Sequence, residues 1–119
     1  PSIVSAGIKV FELIGSNTSL RDKLEKNTKY FRLEMKRAGF DIIEGIHPII
    51  PIMLYDASTA KKMAKEMLKE GIYVVGFTFP VVPKNQARIR IQISAAMEKE
   101  HLDSAIKAFK KVGNKLNII

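Results

Sequence analysis

The segment Arg88-Ile89-Arg90-Ile91-Gln92-Ile93-Ser94 is the part of this chain best suited to chemistry. It alternates strictly, so as a β-strand it sets Ile89, Ile91 and Ile93 on one face and Arg88, Arg90 and Gln92 on the other. An arginine held on a strand offers a planar fork of donors that suits a carboxylate or phosphate through two parallel hydrogen bonds. On pattern alone, an ordinary half-buried strand with a wet face is the simpler account. The other chemistry-bearing residues do not assemble a site. His47 and His101 lie in different contexts, and Glu98 stands one helical turn before His101. Two ligands do not make a metal centre, so both histidines are read as structural or solvated and no metal site is expected. The carboxylates fall mostly beside lysines on helix surfaces, where weak i,i+4 pairing accounts for them. No G-x-G-x-x-G or G-x-x-x-x-G-K-[ST] phosphate loop occurs. Met63 and Met67 recur at helical spacing and read as core.

Composition bounds the rest. The chain has 119 residues, 46% of them hydrophobic, which is ordinary for one globular domain with a core that needs no staples. It has no cysteine, which excludes disulfide frameworks and cysteine-type zinc sites. Net charge is +8, from 20 basic and 12 acidic residues. Such an excess permits binding to nucleic acid or to an anionic substrate and demonstrates neither. The stretch from Thr18 to Gly39 carries seven basic residues against three acidic ones, with no run of like charge long enough for a disordered arm. No segment approaches the roughly 18 apolar residues of a membrane span. Pro1 to Ala6 lack a signal-peptide layout, so a soluble intracellular protein without membrane association is expected.

The elements that must hold the arginine strand follow from periodicity. Val4, Ile8, Phe11, Leu13 and Ile14 form an apolar stripe on a first helix, broken at Gly15 to Thr18. Ser19, three residues before Asp22, predicts a capping box for a second helix, with Leu20, Leu24, Phe31, Met35 and Ala38 inward and Gly39 as its stop. Ile49 to Leu54 reads as a buried strand in which Pro51 suggests an edge or a strand start. Asp56 is placed to cap a third helix that Gly71 ends. Ile72 to Phe79 predicts a second strand, Arg88 to Ser94 a third, and Glu98 to Leu116 a last helix. Between the second and third strands lies a stiff loop, Pro80-Val81-Val82-Pro83-Lys84-Asn85. The order α, α, β, α, β, β, α predicts an α+β fold, a small three-stranded, mainly antiparallel sheet covered by helices.

Several segments read together resemble a known family. Glu70-Gly71-Ile72-Tyr73-Val74-Val75-Gly76-Phe77, Pro80-Val81-Val82-Pro83-Lys84 and Gln86-Ala87-Arg88-Ile89-Arg90 are similar to the C-terminal region of the pyridoxal-phosphate-dependent α-oxoamine synthases, and among these to the glycine C-acetyltransferases. Leu20-Arg21-Asp22, Ala38-Gly39-Phe40 and His47-Pro48-Ile49-Ile50-Pro51 fit the same register, so the resemblance runs over essentially the whole chain. The proline loop followed by the paired arginines is its most specific part. The chain departs from the family's pattern at Asn85, commonly Gly, at Ile91, commonly Thr, and at Met97-Glu98, commonly His and a small hydroxyl residue.

The resemblance implies the small domain of a fold-type-I enzyme that condenses glycine with acetyl-CoA in threonine breakdown. Residues 1–16 would be the end of an interdomain helix from a large domain absent from this chain, and residues 17–119 the small domain. Pyridoxal phosphate would be bound to a lysine of the large domain, so this segment is expected to hold no cofactor and to be inactive alone. Arg90 would grip the substrate carboxylate, with Arg88 in support, and Pro80, Val81, Val82 and Pro83 would form a loop closing over the site. The whole protein would be a homodimer, cytoplasmic in a bacterium or mitochondrial in a eukaryote. A different class remains open at this point: a free-standing α+β module binding RNA or DNA through the basic helix and the arginine face. Against it, no aromatic residue is interleaved with the arginines as a stacking platform. A regulatory domain without ligand is the third reading.

Overall fold

Helix α1 (Ser2–Ser16) has no buried residue along its length, and Arg21 Nη2 of the next helix donates to its Ile14 O at 3.3 Å. The computed structural model describes all of residues 1–119. After α1 come α2 (Ser19–Ala38), β1 (Ile49–Tyr55), α3 (Ala57–Lys69), β2 (Gly76–Phe77), β3 (Ala87–Gln92) and α4 (Lys99–Lys115). The element order and the α+β class match the sequence reading. The sheet is antiparallel throughout, with strand order β1-β3-β2. Strand β1 is therefore an edge, as Pro51 suggested, because proline cannot donate to a ladder on both sides.

Alternation decides which face of the sheet is dry. Ile50 pairs with Ile91 and Ile52 with Ile89, so these side chains share one face with Leu54, Ala87 and Ile93. Helices α2, α3 and α4 cover that face with Phe31 and Met35, with Ala60, Met63 and Met67, and with Leu102, Ile106, Phe109 and Val112. Phe109 lies at the centre, edge-on to Phe31 at 6.4 Å and to Phe40 at 6.1 Å. Gly113 follows one turn later, where an added Cβ would stand 2.7 Å from the Phe40 ring, so the close approach of ring and helix requires glycine.

Local chemistry explains most boundaries. Asp56 caps α3 by accepting from the Thr59 backbone N–H at 2.8 Å. Gly39, at φ +102°, ends α2 in the left-handed region, and Phe40 N–H donates back to Met35 O. The capping box expected at Ser19 does not form. The N-cap is Thr18, whose hydroxyl donates to Asp22 at 3.1 Å, while Asn17 accepts from the Ser19 N–H at 2.9 Å. The second strand is also shorter than predicted: only Gly76–Phe77 pairs with β3. Ile72 N–H bonds back to Met67 O, and Gly76 packs on the Ala60 carbonyl. The segment from Ile72 to Val75 is thus tied to α3 at Ile72 and joins the sheet only at Gly76–Phe77. β-Branched and aromatic enrichment favours an extended backbone here without fixing a partner.

Two polar devices lock the helices down. Arg32 of α2 donates to the carbonyls of Ile43 at 2.8 Å, His47 at 2.8 Å and Ile49 at 3.2 Å, which pins the loop entering β1. Partial desolvation lowers its pKa from the usual arginine value. Glu66 of α3 bridges Lys69 and Lys115 of α4, each at 2.6 Å. Hydrogen bonds from Lys115 and Lys69 depress its pKa from 4.5 to about 2. A depressed carboxylate stabilises the fold fully above its unfolded value and loses that contribution as pH falls through the folded value. Glu66→Gln is therefore expected to lower the melting temperature at neutral pH and to converge on the wild type as pH drops from about 4.5 towards 2. Parallel thermal melts across that range check this, and a difference persisting undiminished at the acid end would contradict it.

Candidate functional site

The uncovered face of the sheet carries Ile49, Pro51 and Met53 from β1 and Arg88, Arg90 and Gln92 from β3, with Pro51 directly opposite Arg90. No helix covers it, and Arg90 and Gln92 are exposed there. The expected division of the strand, isoleucines inward and arginines outward, is what the structure shows.

The two arginines behave differently. Arg88 is folded back onto its own strand entrance, donating from Nε to Gln86 O at 3.2 Å and from Nη2 to the Gln86 side chain at 3.4 Å. Arg90 makes no hydrogen bond or ion pair through its guanidinium within the chain. Its Cζ lies 4.5 Å from the centre of the Phe77 ring on β2. This contact follows from register: Phe77 pairs with Arg88, so Arg90 is its diagonal neighbour on the same face. Sequence reading found no aromatic interleaved with the arginines, because the ring reaches Arg90 from another strand. An open groove of about 380 Å³ runs beside β3, lined by Tyr73, Val75, Phe77, Arg90 and Gln92 among others. A strand-mounted guanidinium with free donors at the lip of a partly apolar groove is suited to a small carboxylate.

The loop between β2 and β3 places Pro80, Val81 and Pro83 in solvent, with Val82 half-buried. Thr78 O accepts from the Val81 N–H at 3.0 Å and the Val82 N–H at 3.3 Å, and Pro83 O from the Gln86 N–H at 3.2 Å, so the loop is made of tight turns. Asn85 sits at φ +61°, in the left-handed region that glycine adopts freely and asparagine tolerates.

Both histidines take local roles. His47 Nδ1 accepts from the Ile49 N–H at 3.0 Å, and His101 Nδ1 accepts from the Glu98 N–H at 2.9 Å, at the start of α4. Glu98 is the N-cap of α4 and reaches Lys23 of α2 at 2.6 Å. The hydrogen bond from Lys23 lowers its pKa. The basic helix α2 is not a free cationic stripe either. Lys23, Lys29, Lys36 and Arg37 pair with Glu98, Glu25, Glu44 and Glu34, and Arg32 is turned into the β1 loop.

Comparison with known proteins adds the family. The chain is 50% identical over all 119 residues to the 2-amino-3-ketobutyrate coenzyme A ligase of Escherichia coli, covering 30% of that protein. It is 48% identical over 114 residues to the mitochondrial human enzyme of the same name, covering 27% of it. It thus spans less than a third of the length of these relatives. Among solved structures, Sphingomonas wittichii serine palmitoyltransferase matches with TM-score 0.81 at 22% identity, over 85% of this chain and 26% of that one. The 8-amino-7-oxononanoate synthase of Francisella tularensis matches with TM-score 0.75 at 22% identity, over 96% of this chain and 32% of that one. At such identity the likeness is one of fold, and it is the small-domain fold expected from the sequence. The relatives are pyridoxal-phosphate-dependent acyltransferases. Within this segment Lys23 is half-buried and every other lysine is exposed. The model of the family "Aminotransferase class I and II" matches residues 1–109, and the chain belongs to that family.

Proposed function

We propose that this chain is the C-terminal small domain of a glycine C-acetyltransferase, which condenses glycine with acetyl-CoA to 2-amino-3-ketobutyrate, and that Arg90 binds the glycine carboxylate. The observation that carries the reading is Arg90 itself, a guanidinium on a strand, with no hydrogen-bond or ion-pair partner in its own chain and only the Phe77 ring against it, on a sheet face no helix covers. The high identity to the E. coli enzyme over the whole chain favours glycine and acetyl-CoA over the substrates of more distant relatives.

On this reading the residues divide the work simply. Arg90 fixes the carboxylate by two charge-assisted hydrogen bonds and so orients the α-carbon for reaction. Arg88, held by Gln86, adds positive potential without competing for the same oxygens. Pro80, Val81, Val82 and Pro83 lie on the loop that closes over the bound substrate and excludes water. The large domain supplies the cofactor and its lysine, and the segment alone has no activity.

Residues 1–16 are the end of a helix from that large domain. Their exposed stripe, with Ile3 85% and Phe11 78% exposed, packs against the rest of the full-length protein. The whole enzyme is a homodimer, cytoplasmic in a bacterium and mitochondrial in a eukaryote. Reading the gene upstream of the Pro1 codon tests the reading. A continuing frame that encodes a glycine- and serine-rich segment around a lysine is expected, and a start codon immediately before Pro1 would overturn it.

A further inference from the structure

We infer that Phe77 is a positioning residue for Arg90, a flat apolar platform that holds the guanidinium ready for a carboxylate; this rests on the reading of Arg90 as the carboxylate-binding residue. Three observations support it. First, the guanidinium carbon lies 4.5 Å from the Phe77 ring centre, within the range at which the ring's quadrupole attracts a cation. Second, the pairing of Phe77 with Arg88 fixes ring and guanidinium on adjacent strands, so the geometry is set by backbone hydrogen bonds. Third, β1, β2 and β3 contain no acidic residue, and the residue opposite Arg90 is Pro51. Nothing on the strands competes for the donors.

A ring face suits this task better than a carboxylate would. Guanidinium N–H groups point outward in the plane of the fork, so a ring lying against the flat side of the fork leaves them unoccupied. Stacking therefore restrains the long side chain and leaves the in-plane donors free. A carboxylate partner would restrain it equally and consume those donors. Arginine carries substantial rotamer entropy, and restraint before binding removes part of that cost from the substrate's affinity.

The test uses the full-length protein with steady-state glycine kinetics. Phe77→Leu keeps an apolar side chain of similar bulk and removes the ring; Phe77→Tyr keeps the ring. The leucine variant is expected to raise the apparent KM for glycine about fivefold with kcat within twofold, and the tyrosine variant to stay near the wild type. Thermal melts of both variants separate this from loss of the fold, since a purely structural role would move stability and kcat together. Arg90→Ala is measured alongside. If it raises the glycine KM while Phe77→Leu does not, the platform is refuted and Arg90 keeps its role. If Arg90→Ala leaves glycine kinetics unchanged, the carboxylate assignment fails first and the platform with it.

Discussion

Replacing Arg90 by alanine in the full-length protein is expected to raise the apparent KM for glycine about a hundredfold. The substitution removes a two-pronged, charge-assisted hydrogen bond, and a weakening of about 3 kcal/mol corresponds to roughly that factor. Carboxylate binding is made in the ground state and kept through the reaction, so most of the effect falls on KM and little on kcat. Arg90→Lys keeps the charge without the fork, so an intermediate rise, about tenfold, is expected. Because Arg90 is exposed and engages only the Phe77 ring within its own chain, the substitution leaves the core intact. Unchanged glycine saturation in Arg90→Ala would remove the assignment.

The largest effect on stability is expected at Phe109. Its side chain is 1% exposed, and its ring meets Phe31 and Phe40 edge-on, so it joins α4 to α2 and to the turn after α2. Phe109→Ala removes the transfer free energy of a ring, leaves a cavity and breaks both aromatic pairs, a cost of about 4 kcal/mol. Small domains are stable by only about 5 to 15 kcal/mol, so this variant sits close to the unfolding threshold. Phe109→Leu fills most of the space and is expected to cost about 1.5 kcal/mol. Urea titration of both variants gives the comparison, read as a shifted midpoint at constant slope. A destabilisation in Phe109→Ala no greater than in Phe109→Leu would mean that the helices are not joined through this ring.

The parts of the fold legible in the sequence are those fixed by local rules. Gly39 and Gly71 stop helices at positive φ, Asp56 caps α3, and strict alternation divides Arg88 to Ile93 between two faces. Where two local signals compete, reading goes astray. Ser19 and Asp22 have capping-box spacing, yet the N-cap is Thr18, which makes no side-chain cap bond, and Asn17 accepts from the Ser19 N–H. Residues 72–75 have the β-branched and aromatic composition of a strand, yet they do not pair in the sheet and Ile72 bonds back to α3 instead. The site was half legible. Alternation alone exposes Arg90, whereas the Phe77 contact needs the register between two separate strands, which no local pattern encodes. The triple carbonyl anchor made by Arg32 was hidden for the same reason, since its acceptors lie on a loop whose course depends on the packed sheet.

The most direct test is to supply the full-length protein with pyridoxal phosphate and acetyl-CoA and to follow free CoA as glycine is added. Saturable release of CoA that requires glycine, and that needs far more glycine in Arg90→Ala, is the predicted result. Full-length protein that loads the cofactor but releases no CoA in response to glycine would contradict the account.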